Sequence, residues 1–227
     1  MATPQFERAR SADAKHIREA AILDAAERLA SERGVRDVTL TDIAAGVGMH
    51  KSTMLRYFET REEIFLRLSA DGWVEWSRTV QAQLSELAPK VERQPSVKRR
   101  ARAIAGVLAE TLVARPLFCD LLAHTPLNLE RGVSFESVRG FKLSTIAASR
   151  AVGDALRQAL PLSRAQAVNT VATATGMAGA LWQMAAPGTQ LRRFYEADPE
   201  LAHAVVDVGP RLTDILTALL TGYAGEH

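Results

Sequence analysis

The chain carries a single cysteine, Cys119, in 227 residues. One thiol cannot close an internal disulfide or build a cysteine metal cluster, and its isolation suits a reducing compartment. Aromatic residues make up only 6%, and strands favour aromatic and β-branched side chains. No alternating apolar–polar run lasts beyond a few residues; Val38-Thr39-Leu40 is strand-like but too short to count. The amino-terminal run Met1 to Lys15 lacks the apolar core of a signal peptide. A cytoplasmic protein is therefore expected. Charge is missing from Ala165 to Leu191, long enough to raise a membrane span. Gln166, Asn169, Thr170, Thr173, Thr175 and Gln183 interrupt that stretch, so it reads as a buried or subunit-interface helix.

Catalytic and metal motifs are absent as well. There is no Gly-x-Ser-x-Gly elbow and no His-Glu-x-x-His pair, and the histidines (His16, His50, His124, His203, His227) are scattered. Gly46 to Ser52 superficially resembles a phosphate-binding loop, but His50 stands where glycine must precede Lys51. No cofactor, metal or catalytic residue is assigned. The net charge of +2 names no partner.

What is present is alanine, leucine and helical periodicity. Hydrophobic residues form 47% and charged residues 24% of the chain, as in ordinary soluble domains. The reading is all-α with about nine helices. Residues Met1 to Asp13 lack periodicity and read as a mobile arm. From Ala14 to Arg33, Ile17, Ala21, Ile22, Ala25, Ala26 and Leu29 recur at helical spacing before Gly34. Short segments follow to Phe58. Thr60 with Glu63 forms a capping box for a helix ending near Pro89. Further helices are predicted over Val97–Ala114, Pro116–Ala123 and Ser134–Leu160. Another follows the Ser163/Gln166 box, to about residue 186, and a last one runs from Asp198, with Pro199 at its first position, to about 222.

Two of these helices offer packing faces. Ala172, Gly176 and Ala180 put small residues on one side of the charge-free helix, where another helix can approach. Val205, Val208, Leu212, Ile215 and Leu219 form a stripe on the last helix, which Pro210 should kink or split. The stripe suits either the chain's own core or a dimer seam; the seam is preferred because adjacent segments both offer faces. Between Ala88 and Arg102, Lys90, Arg93, Lys98, Arg99, Arg100 and Arg102 oppose only Glu92. That cluster reads as a solvated helix end, with a supplementary phosphate contact as the alternative.

Thr41 to Phe58 carries the functional signal. Ile43 and Val47 lie one turn apart on a short helix, with Ala44 small enough for a close crossing. Gly48 can take positive φ at a tight turn, Met49 plugs it, and Met54 and Tyr57 return an apolar face from a second helix. Two helices joined by a glycine-containing turn form a helix-turn-helix. The second helix then exposes His50, Lys51, Ser52, Leu55 and Arg56, which supplies short polar groups, cations and one apolar contact for base edges and phosphates.

The runs Ile22-Leu23-Asp24-Ala25-Ala26, Gly34-Val35, Thr39-Leu40-Thr41-Asp42-Ile43-Ala44, Gly48, Lys51-Ser52-Thr53, Tyr57-Phe58 and Arg61-Glu62 resemble the amino-terminal domain of the tetracycline-repressor (TetR) family, without gaps from about Ile17 to Leu68. The string Phe118 to Pro126 is similar to strings in the second halves of such regulators. Two positions depart: Ala30 stands where the family usually has Phe, and Leu55 where Tyr is common. The resemblance implies a three-helix DNA-binding head (residues 1–60) and a helical ligand-binding and dimerisation body (61–227). It implies major-groove contacts from Thr41, Lys51, Ser52 and Leu55, and phosphate contacts from Thr53, Arg56, Tyr57 and Arg61. The expected partners are a double-stranded operator, a second copy through the last two helices, and a small-molecule effector. Trp73, Trp76, Phe118, His124, Asn128, Phe141, Met177 and Trp182 are the pocket candidates, with Met184 beside them and Arg139 and Lys142 suited to an anionic effector. The alternative is a small-molecule-binding or catalytic helical protein with an incidental helix-turn-helix.

Overall fold

The computed structural model describes residues 4–92, 96–185 and 187–225, apart from the side chains of residues 4–12, 90–92 and 204. Among the described residues there are ten α-helices and no strand: α1 Pro4–Arg33, α2 Leu40–Gly46, α3 Lys51–Met54, α4 Arg61–Glu92, α5 Val97–Val113, α6 Pro116–His124, α7 Phe135–Ala159, α8 Arg164–Ala185, α9 Gln190–Ala197 and α10 Val208–Ala224.

Two apolar cores organise the chain, and α4 belongs to both. Its first turns bring Ile64, Phe65 and Leu68 against Ile22, Ala26 and Leu29 of α1, Ile43 of α2 and Met54 of α3. Further along, Trp76, Val80 and Leu84 join Ile104, Leu108 and Leu112 of α5, Val171 and Ala178 of α8, and Leu212 and Leu216 of α10. One uninterrupted helix thus joins a small head to a larger body. Within the body α4 lies along α7, α5 along α10, and α6 crosses α8.

The crossing of α6 and α8 depends on Gly179. A Cβ there would lie 2.8 Å from the Ala123 amide nitrogen and 3.1 Å from its Cα. Close helix approach was expected on α8, but on the neighbouring face. Ala172, Gly176 and Ala180 are exposed, with Val168 and Met184 beside them. The charge-free helix is therefore covered by its own chain on one side only. Its amino terminus follows expectation: Ser163 and Gln166 exchange bonds of 2.8 and 3.2 Å as a reciprocal box.

Several boundaries differ from the sequence reading. α1 begins at Pro4, replacing most of the expected arm, because the Ala-, Arg- and Glu-rich run has helical propensity without an apolar stripe. Ile17 and Ala21 remain exposed, so the stripe is buried only from Ile22 onward. α4 passes Pro89 to Glu92, where little helix remains to be disrupted.

The last helix, expected from Asp198, begins only at Val208, and a separate helix, α9, ends just before Asp198. Asp198 caps the end of α9, and its Oδ1 accepts from the Glu200 amide at 2.9 Å. The residue that suits a helix start here closes a turn instead. α10 starts at Val208, which places Pro210 in its first turn, so the predicted kink does not arise. Val208 and Leu212 pack in the body core with Leu216 and Leu220, whereas Val205 lies before the helix. Ile215 and Leu219 are half-buried. From Val208 onward the stripe therefore packs on the chain's own core, Ile215 and Leu219 at its edge.

Candidate nucleic-acid interface

The helix-turn-helix is built from local bonds. Thr39 caps α2 and forms a box with Asp42: the Asp42 amide donates to Thr39 Oγ1 at 3.2 Å, and the Thr39 amide donates to Asp42 Oδ2 at 2.8 Å. Bonds from the Thr39 hydroxyl and amide, with Arg33 nearby, hold the Asp42 carboxyl below its ordinary range. Gly48 turns the chain at φ +65°, as expected from sequence. His50 then caps α3, its Nδ1 accepting from the Ser52 amide at 3.3 Å. Ile43, Ala44 and Met54 are buried between the helices, with Val47 and Met49 partly so. The second helix is shorter than predicted. Regular helix ends at Met54, and tighter turns carry the chain through Arg56 and Tyr57, whose amides donate to Thr53 and Met54 carbonyls.

This arrangement leaves Thr41, Lys51, Ser52, Thr53, Leu55 and Arg56 exposed. Leu55 keeps nearly half its surface (47%), so an aliphatic side chain stands among polar and cationic ones. No carboxylate occurs between Asp42 and Glu59, and the lysine and arginine therefore meet no local acid. Tyr57 is half-buried against the head core, in keeping with a ring held by the fold.

Arg61 departs from this group. Its guanidinium Nε donates to the Val38 carbonyl and Nη2 to the Val35 carbonyl, and Nη1 meets Glu62 Oε1 at 3.1 Å. The same group lies 4.7 Å from the Phe65 ring centroid. Only 19% of the side chain is exposed. In this structure Arg61 is occupied in binding the segment between α1 and α2 to the start of α4. Glu63, the partner predicted for Thr60, accepts from the Glu59 amide at 2.6 Å while its own amide donates to Thr60 Oγ1 at 3.1 Å.

A second tie holds the same segment from the other side, and the sequence reading missed it. The Val35 amide donates to Asp120 Oδ2 of α6 at 2.7 Å. Asp120 Oδ1 accepts from Gln183 Nε2 of α8 at 2.7 Å, and His124 Nε2 lies 3.5 Å away. Burial alone would raise this carboxyl's pKa; His124, the Val35 amide and Gln183 outweigh that and hold it below its ordinary value. Nothing local in the sequence marks Asp120, because its partners come from distant segments.

The pocket candidates divide. Trp73, Trp76 and Phe118 stack edge-on or tilted with centroids 5.6–6.2 Å apart, and Trp76 Nε1 donates to Thr111 Oγ1 at 3.0 Å. They fill the body core. Met177 packs at its edge, and Phe141 is buried under the head core. Phe118, His124 and Trp182, however, line a crevice of about 1160 Å³ between the head and the α6–α8 side of the body, with Ala30 and Gly34 opposite. The small side chain at Ala30 leaves room there. Asn128 sits on the surface near His124, 3.4 Å from its Nδ1. Met184 is exposed; Arg139 is too, and Lys142 pairs with Glu130 at 2.6 Å. Of the basic cluster, Arg102 pairs with Asp214 at 3.0 Å while Lys98 and Arg99 are exposed; the Lys90 side chain and Arg93 lie outside the described residues. Among the described residues no helix is long and apolar enough to cross a membrane, and no group of side chains could hold a metal ion.

Comparison with known proteins agrees with this architecture. No curated protein matches by sequence. Among solved structures, a TetR-family regulator from Mesorhizobium loti superimposes with TM-score 0.53 at 12% identity, covering 93% of this chain and 97% of that one. AibR, in complex with isovaleryl coenzyme A and operator DNA, gives 0.52 at 15% identity over 90% and 98%. The fatty acid degradation regulator FadR from Bacillus halodurans gives 0.51 at 14% identity over 90% and 94%. At these identities the likeness is one of fold. The family models reach further: residues 22–68 match the bacterial regulatory proteins of the tetR family and residues 70–227 match the tetracyclin repressor-like C-terminal domain. The chain belongs to the TetR family of DNA-binding transcriptional regulators.

Proposed function

We propose that this protein is a homodimeric repressor released from a pseudo-palindromic operator by a small-molecule effector. The observation that carries the reading is the exposed, acid-free surface of Thr41, Lys51, Ser52, Thr53, Leu55 and Arg56 on a capped helix-turn-helix. Lys51 and Ser52 suit base edges, Leu55 a thymine methyl, and Thr53, Arg56 and the Tyr57 hydroxyl the phosphates. Residues 1–60 act as the DNA-binding unit in the cytoplasm, and 61–227 serve ligand binding and dimerisation.

A second copy covers the exposed, charge-free face of α8 around Ala172, Gly176 and Ala180, with the half-buried Ile215 and Leu219 of α10 at its border. That pairing sets two recognition helices one DNA turn apart, about 34–36 Å. The effector enters the crevice lined by Phe118, His124 and Trp182, where it contacts head and body together. A ligand favouring one head arrangement shifts the population toward it. AibR, with an acyl coenzyme A and operator DNA, offers the analogy.

Selection of bound sites from a random duplex pool tests this reading. Enrichment of an inverted repeat with half-sites one turn apart, bound more weakly as salt rises, is the expected result. Equal binding to every duplex, or none at moderate ionic strength, would overturn it.

A further inference from the structure

We infer that Asp120 is the positioning residue through which the body sets the attitude of the DNA-binding head. This rests on the DNA-binding reading and names the side chain that regulates it. Gly34, at φ +87°, turns the chain out of α1 so that the next amide, Val35, points into Asp120 Oδ2 at 2.7 Å. The Val35 and Val38 side chains are buried in the head core, so this segment moves with α2 and α3 and not independently of them.

The segment is gripped from two sides, by the first turn of α4 within the head and by α6 of the body. Its carbonyls at Val35 and Val38 are held by Arg61 at the start of α4, and its amide by Asp120 on α6. A displacement of α6 relative to α4 therefore pulls the two ties unequally and tilts the head. α6 in turn follows α8: the helices touch backbone to backbone at Gly179, and Gln183 of α8 donates to the remaining Asp120 oxygen at 2.7 Å. Asp120 is only 9% exposed, yet it borders the head–body crevice together with His124 and Gln183. A shift of α6 or α8 beside that crevice reaches the recognition helix through this carboxylate, alongside the packing of Leu121 of α6 in the head core.

Three variants of the full chain test this: Asp120→Leu removes the acceptor at similar size, Asp120→Asn keeps an acceptor without charge, and Gln183→Leu cuts only the body-side bond. Two readouts apply, hydrogen exchange at the Val35 amide and affinity for a duplex selected by the wild type across a salt series. Asp120→Leu is expected to speed Val35 exchange and weaken DNA binding, each about tenfold, as befits a lost hydrogen bond to a charged group. The salt slope stays unchanged, because no phosphate contact is lost. Asp120→Asn restores part of both effects. Gln183→Leu, on an exposed position remote from the DNA face, weakens binding about threefold or more; it carries the test should Asp120→Leu not fold. Val35 exchange and duplex affinity within experimental scatter of wild type in Gln183→Leu and Asp120→Asn would overturn the inference. A wild type that selects no duplex overturns the DNA-binding reading instead, and the two failures are told apart by Val35 exchange, which needs no DNA.

Discussion

Replacing Arg61 with alanine separates a side chain that grips DNA from one that holds the head together. The change removes two hydrogen bonds from a guanidinium to the Val35 and Val38 carbonyls, a pair with Glu62 and a cation–π contact with Phe65. A hydrogen bond to a charged group contributes about 1.5–3 kcal/mol and a cation–π contact about 0.5–2 kcal/mol. Water reaches part of the vacated space, so the sum is discounted to roughly 2–4 kcal/mol. For a chain of this size each kcal/mol shifts the thermal midpoint by about 2–4 °C, which gives a fall of roughly 4–16 °C. Operator affinity drops with it, because a loosened head must be ordered on binding, but the slope of log K against log salt keeps its wild-type value. Arg56→Ala, at a cation assigned to phosphate, is the opposite case. Its side chain is exposed with no local acid, so its thermal midpoint should stay within about 1 °C while the slope falls by roughly one phosphate. Calorimetry and a titration series at four salt concentrations measure both. An Arg61→Ala protein with an unchanged midpoint and a slope reduced by one would return Arg61 to the phosphate surface and refute this account.

Other consequences follow from single side chains. Gly179→Ala forces a methyl to within 2.8 Å of the Ala123 amide nitrogen; overpacking of this kind costs about 1–3 kcal/mol, and urea unfolding of the variant should show an earlier midpoint. Because Asp120 has a lowered pKa in the folded state, its contribution is complete above the unfolded value of 3.8 and is lost as pH falls through the lower folded value. The stability gap between wild type and Asp120→Asn should therefore hold from pH 7 to about 5 and close below about pH 4. A gap that widened on acidification would contradict the depressed value. Burial, with the Asp120 charge beside it, pushes the Cys119 thiol up to about 12. Native protein at pH 8 should therefore react with a disulfide reagent far more slowly than urea-unfolded protein, and stoichiometric labelling within minutes would argue against that burial.

Local chemistry alone determined the helix-turn-helix. Its turn needs only Gly48 and its caps close within a few residues, while Ile43, Ala44 and Met54 at helical spacing mark the face that α1 and α4 cover. The helical class was legible for the same reason, since periodic apolar positions and the boxes at Thr60/Glu63 and Ser163/Gln166 act over one turn. The Thr39/Asp42 box at the start of α2 was equally readable, though the reading passed over it. Boundaries were less secure: α1 forms on propensity where no stripe exists, and Asp198-Pro199 can serve a turn as well as a helix start.

The tertiary structure decided matters of pairing at a distance. Arg61 carries the same charge wherever it lies, and only the fold turns it inward to two carbonyls and away from solvent. Trp73 and Trp76, candidates for a cavity wall, fill the core because Phe118 arrives from another helix to stack on them. Asp120 has no motif at all. It became the tie between head and body because α6 lies where the Val35 amide and Gln183 converge, a coincidence of three segments that no local spacing encodes.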